Sequence, residues 1–250
     1  MIFSLANVSK YRAQGTGYSL AIRRLRIARG EQIALTGVSG SGKSTALDIL
    51  GMVLMPDEAR GFLFAPGEKA FDIAAFWRKK SLDAMAGIRL RHIGYVLQTG
   101  GLLPYLTVAE NLGLTARMRG GDKNSAAASA ASVAESLGIA RLLNSYPSTL
   151  SVGERQRVAI GRALAPQPDV VLADEPTAAL DPIHAENVMS LFAALVKEMR
   201  ATLIMVSHDL SLVREAGLRI VEISVTSAED GAVLATIDDS GHAPCATLQS

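Results

Sequence analysis

A glycine-rich run at residues 37–45 carries the most specific chemistry in the chain. It has the spacing of a phosphate-binding loop, with glycines followed by a lysine and a hydroxyl. Glycines accept backbone conformations closed to other residues, so successive N–H groups can turn towards an anion. In this pattern Lys43 reaches the β- and γ-phosphates of a nucleotide, and the Ser44 hydroxyl binds Mg²⁺. The predicted nucleotide-binding residues are Gly37, Val38, Ser39, Gly40, Ser41, Gly42, Lys43, Ser44 and Thr45.

The segments on both sides of this loop support the interpretation. The apolar run at 33–35 predicts a strand before it, and residues 46–50 have helical character. The start of a helix adds unpaired N–H groups and the positive end of its dipole, both of which favour an anion. An incidental glycine-rich turn is the alternative, and the order strand, loop, helix disfavours it.

Polar side chains also follow three other apolar runs. Asp174 and Glu175 follow 170–173, His208 stands just after 203–206, and Gln98 follows 93–97. Continuous apolar runs are expected for parallel strands that are covered on both faces. Ligands in such sheets bind at the carboxyl ends of the strands. These runs therefore predict an α/β fold, with a mostly parallel sheet whose strand ends converge on the nucleotide.

The residue types at these strand ends suit phosphoryl transfer to water. Asp174 is expected to hold Mg²⁺ through water, and Glu175 to polarise the attacking water. His208 can donate to a γ-phosphate oxygen, and Gln98 can touch both Mg²⁺ and that water. The alternatives are two acids that only cap a strand or helix and a histidine without a catalytic role. The shared strand-end position favours catalysis.

Two further positions are ambiguous on local sequence alone. Tyr11 lies between strands predicted at 2–8 and 18–27, and its ring could stack on adenine, although a surface or core tyrosine is favoured locally. Ser151 is a plausible N-cap for a helix that runs through Ala165, and the start of that helix would offer N–H groups to an anion. An ordinary capped helix is the alternative there.

Composition limits the class of protein. The 250 residues are 49% hydrophobic and 20% charged, which suits a globular fold of one large domain or a domain with an inserted lobe. The net charge of +1 creates no overall field for nucleic acid, and no nucleic-acid partner is expected. No apolar stretch reaches about 18 residues, so no membrane-spanning helix is predicted. The only cysteine, Cys245, suits a reducing compartment.

Residues 98–150 predict a small, mostly helical lobe inserted between the α/β segments. Thr107 is expected to cap a helix through Leu114, and residues 125–137 favour a helix over a low-complexity linker because alanine is a strong helix former. Residues 71–85 also have mostly helical spacing, and their basic triplet at 78–80 favours a solvated face over a partner contact.

Over roughly residues 1–225 the chain resembles the ATP-binding subunit of an ABC transporter, and its motifs occur in the order that is typical of that family. The matching motifs are Walker A at Gly37–Thr45, the Q-loop at Gln98, the signature at Leu150–Glu154, Walker B at Val170–Glu175, the D-loop at Ala179–Asp181 and the switch histidine at His208. Glu154 and the segments 91–98 and 102–111 look like the branch that contains macrolide exporters, lipoprotein-releasing systems and the cell-division ATPase.

The resemblance implies a P-loop NTPase fold with a RecA-like core, an antiparallel β-subdomain and an inserted helical subdomain. In this interpretation the ABC ATPase domain spans 1–230, with the helical subdomain at about 98–155, and a C-terminal tail spans 231–250. Across this boundary, residues 226–250 are expected to form a terminal strand followed by a loose end. Tyr11 falls at the position of the family's adenine-stacking aromatic residue, which reverses the local interpretation.

By resemblance, two copies close head to tail around two ATP molecules. Residues that act on the nucleotide of the other copy are then Ser151, Gly153, Glu154 and Asp181. Val152 replaces the first glycine of the usual signature, and its β-branched side chain restricts the backbone there, but function is expected to survive.

The implied function is hydrolysis of ATP that powers a separate membrane permease through closure of the dimer. Glu175 is the family's general base, and Lys43, His208 and Mg²⁺ neutralise charge. The helical lobe and Gln98 would meet the permease, so the subunit is expected in the cytoplasm, peripheral on the cytoplasmic face of the inner or plasma membrane. A mechanical signalling module of the cell-division kind and a soluble ABC ATPase are the alternatives.

Overall fold

The computed structural model describes residues 1–11, 17–227 and 233–241. The strands in these ranges are β1 (Phe3–Tyr11), β2 (Tyr18–Ile27), β3 (Gln32–Thr36), β4 (Glu58–Phe64), β5 (Phe71–Asp72), β6 (Ile93–Val96), β7 (Val170–Asp174), β8 (Thr202–Val206), β9 (Arg219–Glu222), β10 (Ser224–Ser227) and β11 (Val233–Asp238). The α-helices are α1 (Lys43–Leu50), α2 (Ile73–Arg78), α3 (Leu82–His92), α4 (Val108–Met118), α5 (Lys123–Ser136), α6 (Val152–Leu164), α7 (Pro182–Glu198) and α8 (Leu210–Glu215). Short 3₁₀ turns lie at Ala140–Leu142 and Pro147–Thr149.

Five strands form an entirely parallel sheet in the order β6-β7-β8-β3-β9. Along β7, Val170 and Leu172 join the core on one face, and Val171 and Ala173 join the core on the other. Burial on both faces explains why the sequence is continuously apolar there. The sheet confirms the predicted α/β core, and it brings the carboxyl ends of β3, β6, β7 and β8 to one edge.

The second sheet has six strands in the order β10-β11-β2-β1-β4-β5. Its neighbours are antiparallel except for the parallel pair β11 and β2. The pairing of β1 with β2 confirms the strands predicted at 2–8 and 18–27. The strand predicted within 226–250 is present as β11, beside β2. The domain boundary at residue 230 stays a prediction, and Cys245 lies outside the described residues.

The first helix of the predicted lobe begins at its expected cap, and the helix predicted at 125–137 is present as α5. Thr107 caps α4 through a reciprocal pair with Glu110, in which each side chain accepts a hydrogen bond from the other's backbone N–H. The predicted end at Leu114 is wrong, because α4 continues to Met118. The apolar pattern stops at Leu114, but the next residues tolerate a helix without burial, and the chain turns only at Gly120, where φ is 82°.

The helical spacing over residues 71–85 belongs to two helices. α2 ends at its C-cap Lys79, and the following Lys80 has a φ of 53°, which breaks the helical path before α3. Asp72 begins α2, where its Oδ1 accepts a hydrogen bond from the Ala75 N–H at 2.9 Å. The basic triplet at 78–80 is exposed, as expected for a solvated face.

Candidate functional site

The glycine loop joins the end of β3 to the start of α1, as the sequence predicts. Gly42 precedes α1 with a φ of 83°, a conformation that L side chains rarely adopt. A Cβ at this position would lie 1.9 Å from the Tyr18 Oη and 3.7 Å from Leu20 Cδ1. The positive φ therefore favours glycine at position 42, and a larger residue there would also have to displace the end of the Tyr18 side chain.

Lys43 occupies the centre of this loop. Its side chain is buried, and Nζ donates to the carbonyl oxygens of Gly37 and Val38, each at 3.0 Å. The loop thus folds around its own ammonium group, beside the unpaired N–H groups at the start of α1. An anion bound in the loop would meet a fixed positive charge and a helix N-terminus together.

Ser44 and Asp174 lie side by side, although 130 positions separate them in the sequence. The Ser44 Oγ donates to Asp174 Oδ1 at 3.1 Å. Partial burial raises the pKa of Asp174; the Ser44 hydroxyl opposes the shift, whereas the charges of Glu175 and Asp48 reinforce it. A carboxylate in this environment gains from a nearby cation.

These oxygen atoms fit a hard divalent cation with few protein ligands. Within the described ranges, no three His, Cys, Asp or Glu side chains are grouped so as to hold a metal. The hydroxyl of Ser44 and the carboxylate of Asp174 are the ligand types that Mg²⁺ accepts, and Mg²⁺ usually keeps several waters and takes phosphate oxygens. Both residues therefore suit a cation that arrives with a nucleotide.

Glu175 is reached by side chains from two neighbouring loops. The Gln98 Nε2 donates to Glu175 Oε2 at 3.3 Å, and the His208 Nδ1 lies 3.4 Å from Glu175 Oε1. Glu175 itself has a φ of 45°, and its N–H donates to the Val206 carbonyl oxygen at 3.1 Å. Strained backbone conformations of this kind concentrate at functional sites, where the surrounding structure holds them. The structure thus brings three of the predicted strand-end residues, Gln98, Glu175 and His208, together.

Tyr11 lies at the end of β1 with half of its surface exposed. Its backbone N–H donates to Asp57 Oδ2 at 2.6 Å, and the Lys10 Nζ donates to Asp57 Oδ1 at 3.0 Å. Burial acts to raise the pKa of Asp57, but these two donors outweigh it and the pKa is lowered. Asp57 therefore stays charged and fixes the backbone that carries the tyrosine.

The signature residues form a separate surface at the start of α6. The Glu154 Oε2 accepts hydrogen bonds from the Ser151 N–H at 3.0 Å and from its hydroxyl at 2.8 Å, and Arg141 donates to Glu154 Oε1 at 2.7 Å. The Ser151 N–H, followed by the hydroxyl, lowers the pKa of Glu154. Ser151 is thus the N-cap that the sequence predicts.

Among the residues that the structure describes, none gives Gly153 a steric reason to be glycine. A Cβ built there would meet only the Leu180 Cδ2, at 3.9 Å. Val152 beside it is 44% exposed. No hydrogen bond or ion pair found in the described ranges joins residues 151–154 to the glycine loop. The start of α6 is therefore an open surface that is not connected to the loop in the same chain.

Asp181 caps α7. Its Oδ1 accepts from the His184 N–H at 3.2 Å, and its Oδ2 lies 2.7 Å from the His184 Nδ1. The His184 N–H is the main cause of the lowered pKa of Asp181. Both oxygens are engaged by the first turn of their own helix, on an exposed part of the chain.

Sequence reasoning missed the residues that hold the Q-loop. The Arg162 guanidinium on α6 donates to the carbonyl oxygens of Gly100 at 3.0 Å and Gly101 at 2.6 Å. Both glycines have positive φ, 73° and 58°, which turns their carbonyls towards the arginine. A signal was present in the glycine pair directly after Gln98, but nothing in the sequence shows that an arginine about 60 residues later reaches it.

Comparisons with known proteins agree with the motifs. A sequence model of the family described as ABC transporter matches residues 21–178. The lipoprotein-releasing system ATP-binding protein LolD of Shewanella frigidimarina is 36% identical over 210 residues, which cover 83% of this chain and 84% of that protein. The macrolide export ATP-binding/permease protein MacB 1 of Aeromonas hydrophila is 39% identical over 211 residues, which cover 84% of this chain and 30% of that protein.

A solved structure matches the whole fold. It is the dimeric structure of a post-hydrolysis state of the ATP-binding cassette MJ0796 bound to ADP and Pi. The alignment has a TM-score of 0.75 and 31% identity, and it covers 95% of this chain and 97% of that chain.

Proposed function

Since the chain belongs to the ABC transporter family, as an ATP-binding subunit with ATPase activity, we propose that its strand-end residues form one half of an ATP site that two copies share. In this half, the phosphates of ATP replace the carbonyl oxygens of Gly37 and Val38 at the Lys43 ammonium. The N–H groups of the loop residues 37–45 and of the start of α1 hold the remaining phosphate oxygens. The exposed ring of Tyr11 stacks on the adenine.

The same half would hold Mg²⁺ through Ser44, Gln98 and Asp174, with Asp174 acting through a water. The proximity of the Ser44 hydroxyl to the Asp174 carboxylate, 3.1 Å, supports this set. When bound, Mg²⁺ neutralises the charge that develops on the β- and γ-phosphates. The residues of the chain orient it, because the hydroxyl and the carboxylate are fixed on α1 and β7.

Hydrolysis would proceed by in-line attack of a water on the γ-phosphorus. Glu175 accepts the proton of that water as the new P–O bond forms, the bond to the bridging oxygen breaks, and ADP leaves. Lys43 and His208 stabilise the charge on the transferred phosphoryl group. The observation that carries this assignment is the meeting of Gln98 and His208 at the Glu175 carboxylate, at 3.3 and 3.4 Å.

The other half of the site would come from a second copy, head to tail. Ser151 and Gly153 of one copy approach the γ-phosphate held by Lys43 of the other, with Glu154 as the cap that holds Ser151, and Asp181 lies along the interface. Two observations support this: α6 begins at a surface that is separate from the loop, and Gly153 is a glycine with no internal contact that requires it. The dimeric state of the cassette bound to ADP and Pi supports the same arrangement.

A membrane permease is the proposed partner that this ATPase powers. The name of MacB 1 combines an ATP-binding part with a permease part, and this chain matches 30% of that protein. No helix in the described part of the chain is long and apolar enough to cross a bilayer. The helical residues 98–155, with Gln98, would contact the permease on the cytoplasmic face of the membrane. Co-purification with a membrane protein, followed by an ATP-dependent flux assay, separates transport from mechanical signalling.

Replacing Glu175 with glutamine tests the catalytic assignment. The change keeps the shape but removes the base, so kcat for ATP should fall about a thousandfold while ATP binding persists. ATP should then trap the dimer, which light scattering during gel filtration detects. Glu198→Gln, at the exposed end of α7, is the matched control. Unchanged steady-state turnover in Glu175→Gln would overturn the assignment of the base.

A further inference from the structure

The glycine-loop helix α1 docks on the parallel sheet along one face. Ser44, Asp48 and Gly51 are spaced i, i+4 and i+7, so they lie on one side of the helix or its C-terminal end. Ser44 contacts Asp174 on β7, as described above. Asp48 and Gly51 lie about one and two turns further along, against β6 and β7.

The second contact on this face joins Asp48 to Tyr95. The Tyr95 Oη donates to Asp48 Oδ1 at 2.8 Å, from a ring that is partly buried on β6. Partial burial raises the pKa of Tyr95, and the hydrogen bond to Asp48 and the charges of Asp48 and Asp174 raise it further. The phenol therefore stays protonated, and it remains a donor at every pH near neutrality.

The third contact fixes the distance between the helix and the strands. A Cβ on Gly51 would lie 3.1 Å from Leu172 Cδ1 and 3.3 Å from Tyr95 Cε2. Tyr95 is the partner of Leu172 across the pair β6 and β7, and Leu172 stands two residues before Asp174, on the same face of β7. The tyrosine ring, the leucine and the carboxylate of the site thus lie next to one another on the face of the sheet under α1.

We propose that Tyr95 and Asp48 are positioning residues of the cation site, which hold α1 in register with β7 while Ser44 and Asp174 bind the metal. This inference rests on the proposed role of Ser44 and Asp174. A cation held by the Ser44 oxygen and, through a water, by Asp174 would draw on the same two side chains that form the first contact. The contact one turn away does not involve the metal, and it keeps the two ligands at the correct spacing.

Asp48 also acts through its charge. Asp48 stands one turn after Ser44 on the same face of α1, so its carboxylate adds negative potential near the place where the cation would bind. The hydroxyl of Tyr95 keeps this carboxylate turned towards β6. Removing the hydroxyl therefore loosens the helix and lets the charge move away, and both effects weaken metal binding.

The test is a Mn²⁺ titration of the full chain, followed by electron paramagnetic resonance, with a non-hydrolysable ATP analogue present. Tyr95→Phe should weaken Mn²⁺ binding about tenfold, as replacing groups that orient metal ligands does. The affinity for the analogue in EDTA should stay within about twofold, since Tyr95 contacts α1 at Asp48 and is not one of the proposed nucleotide-binding residues. Tyr105→Phe, which removes a hydroxyl from an exposed ring, is the matched control and should bind Mn²⁺ as the wild type does.

Two further variants separate the ways in which the proposal can fail. Asp48→Ala should weaken Mn²⁺ binding at least as much as Tyr95→Phe does. The double variant should bind Mn²⁺ as tightly as Asp48→Ala alone, because each single change already removes the same hydrogen bond. Equal losses of Mn²⁺ and of metal-free analogue binding in Tyr95→Phe would overturn the positioning role in favour of a general structural one.

Ser44→Ala tests the premise. If Ser44→Ala weakens Mn²⁺ binding and Tyr95→Phe does not, the positioning role is overturned while the proposed cation site stands. If neither Ser44→Ala nor Asp174→Asn changes Mn²⁺ binding, the cation site is itself wrong, and the inference falls with it.

Discussion

The two regions that we propose to face the phosphates of ATP are built in opposite ways. The glycine-loop region is assembled from four strand ends, and its polar side chains contact one another or the loop backbone: Lys43 donates to its own loop, Ser44 donates to Asp174, and Gln98 and His208 both contact Glu175. The signature region at residues 151–154 is a single helix start, whose serine and glutamate bond each other at the surface. The first region is assembled from side chains that are distant in the sequence, and the second is an exposed helix start that is held by local contacts.

The difference follows from the architecture. Parallel strands bring residues far apart in sequence to one edge, so their loops must pack and pair with one another. A helix N-terminus satisfies its own N–H groups by local capping, and it needs no distant residue. We therefore expect the two regions to respond differently to substitution: changes in the first disturb contacts between distant residues, whereas changes in the second disturb at most a local helix cap.

The largest effect is expected at Lys43. Lys43→Ala removes the only charge inside the loop and the two hydrogen bonds to Gly37 and Val38, so kcat/KM for ATP should fall about a thousandfold. The measurement is steady-state ATPase with a parallel binding titration. Lys197→Ala, on the exposed end of α7, serves as the control. ATPase close to the wild-type rate in Lys43→Ala would contradict the role of the loop.

A smaller effect on activity, without one on stability, is expected at Gly153. Gly153→Val places a side chain in open space within the chain, so the unfolding temperature should not fall, but ATPase should drop about a hundredfold because the start of α6 can no longer reach a phosphate.

Mixing this variant with Lys43→Ala sharpens the comparison. A mixed dimer holds one site with an intact loop and an intact signature, so the mixture should regain activity that neither variant has alone. If mixed dimers form but regain no activity, that result would contradict a site formed by the glycine loop of one copy and the signature of the other.

The smallest effect concerns Glu154. The Ser151 N–H, helped by its hydroxyl and by Arg141, holds the pKa of this carboxyl below its ordinary value of 4.5. A pKa lowered in the folded state gives stability that is present above about pH 4.5 and is lost as the pH falls through the folded value. Glu154→Gln lacks this charge, so its unfolding temperature should fall less between about pH 7 and about pH 3.5, by roughly 1–2 °C in circular dichroism. Identical pH profiles would show that the cap works without charge.

Much of the site could be predicted because its motifs are local. The spacing of glycine, lysine and hydroxyl residues at 37–45 predicts a phosphate-binding loop. Ser151 followed three residues later by Glu154 indicates a helix cap. The strand ends at Gln98, Glu175 and His208 could be placed together because parallel strands share an edge. The similarity to ABC transporter subunits agrees with all of these.

What could not be predicted depends on contacts between distant residues. Asp57 under Tyr11 and Asp48 beside Tyr95 have no local signature, because each pairs across 46 or 47 positions. Arg162 reaches Gly100 and Gly101 only because α6 packs against the loop after β6. The end of α4 was also missed, because its last turn buries no residue and leaves no core-facing apolar pattern, although residues 116–118 are good helix formers.

The sequence by itself determined which chemical groups this protein has and which of them stand at strand ends, because apolar runs and glycine spacing are properties of short segments. Only the tertiary structure decided which donors reach each carboxylate, which hydroxyl lies beside which acid, and which glycine has empty space around it. Those outcomes depend on the register of β6 and β7 and on the distance of α1 from the sheet, which no short segment encodes.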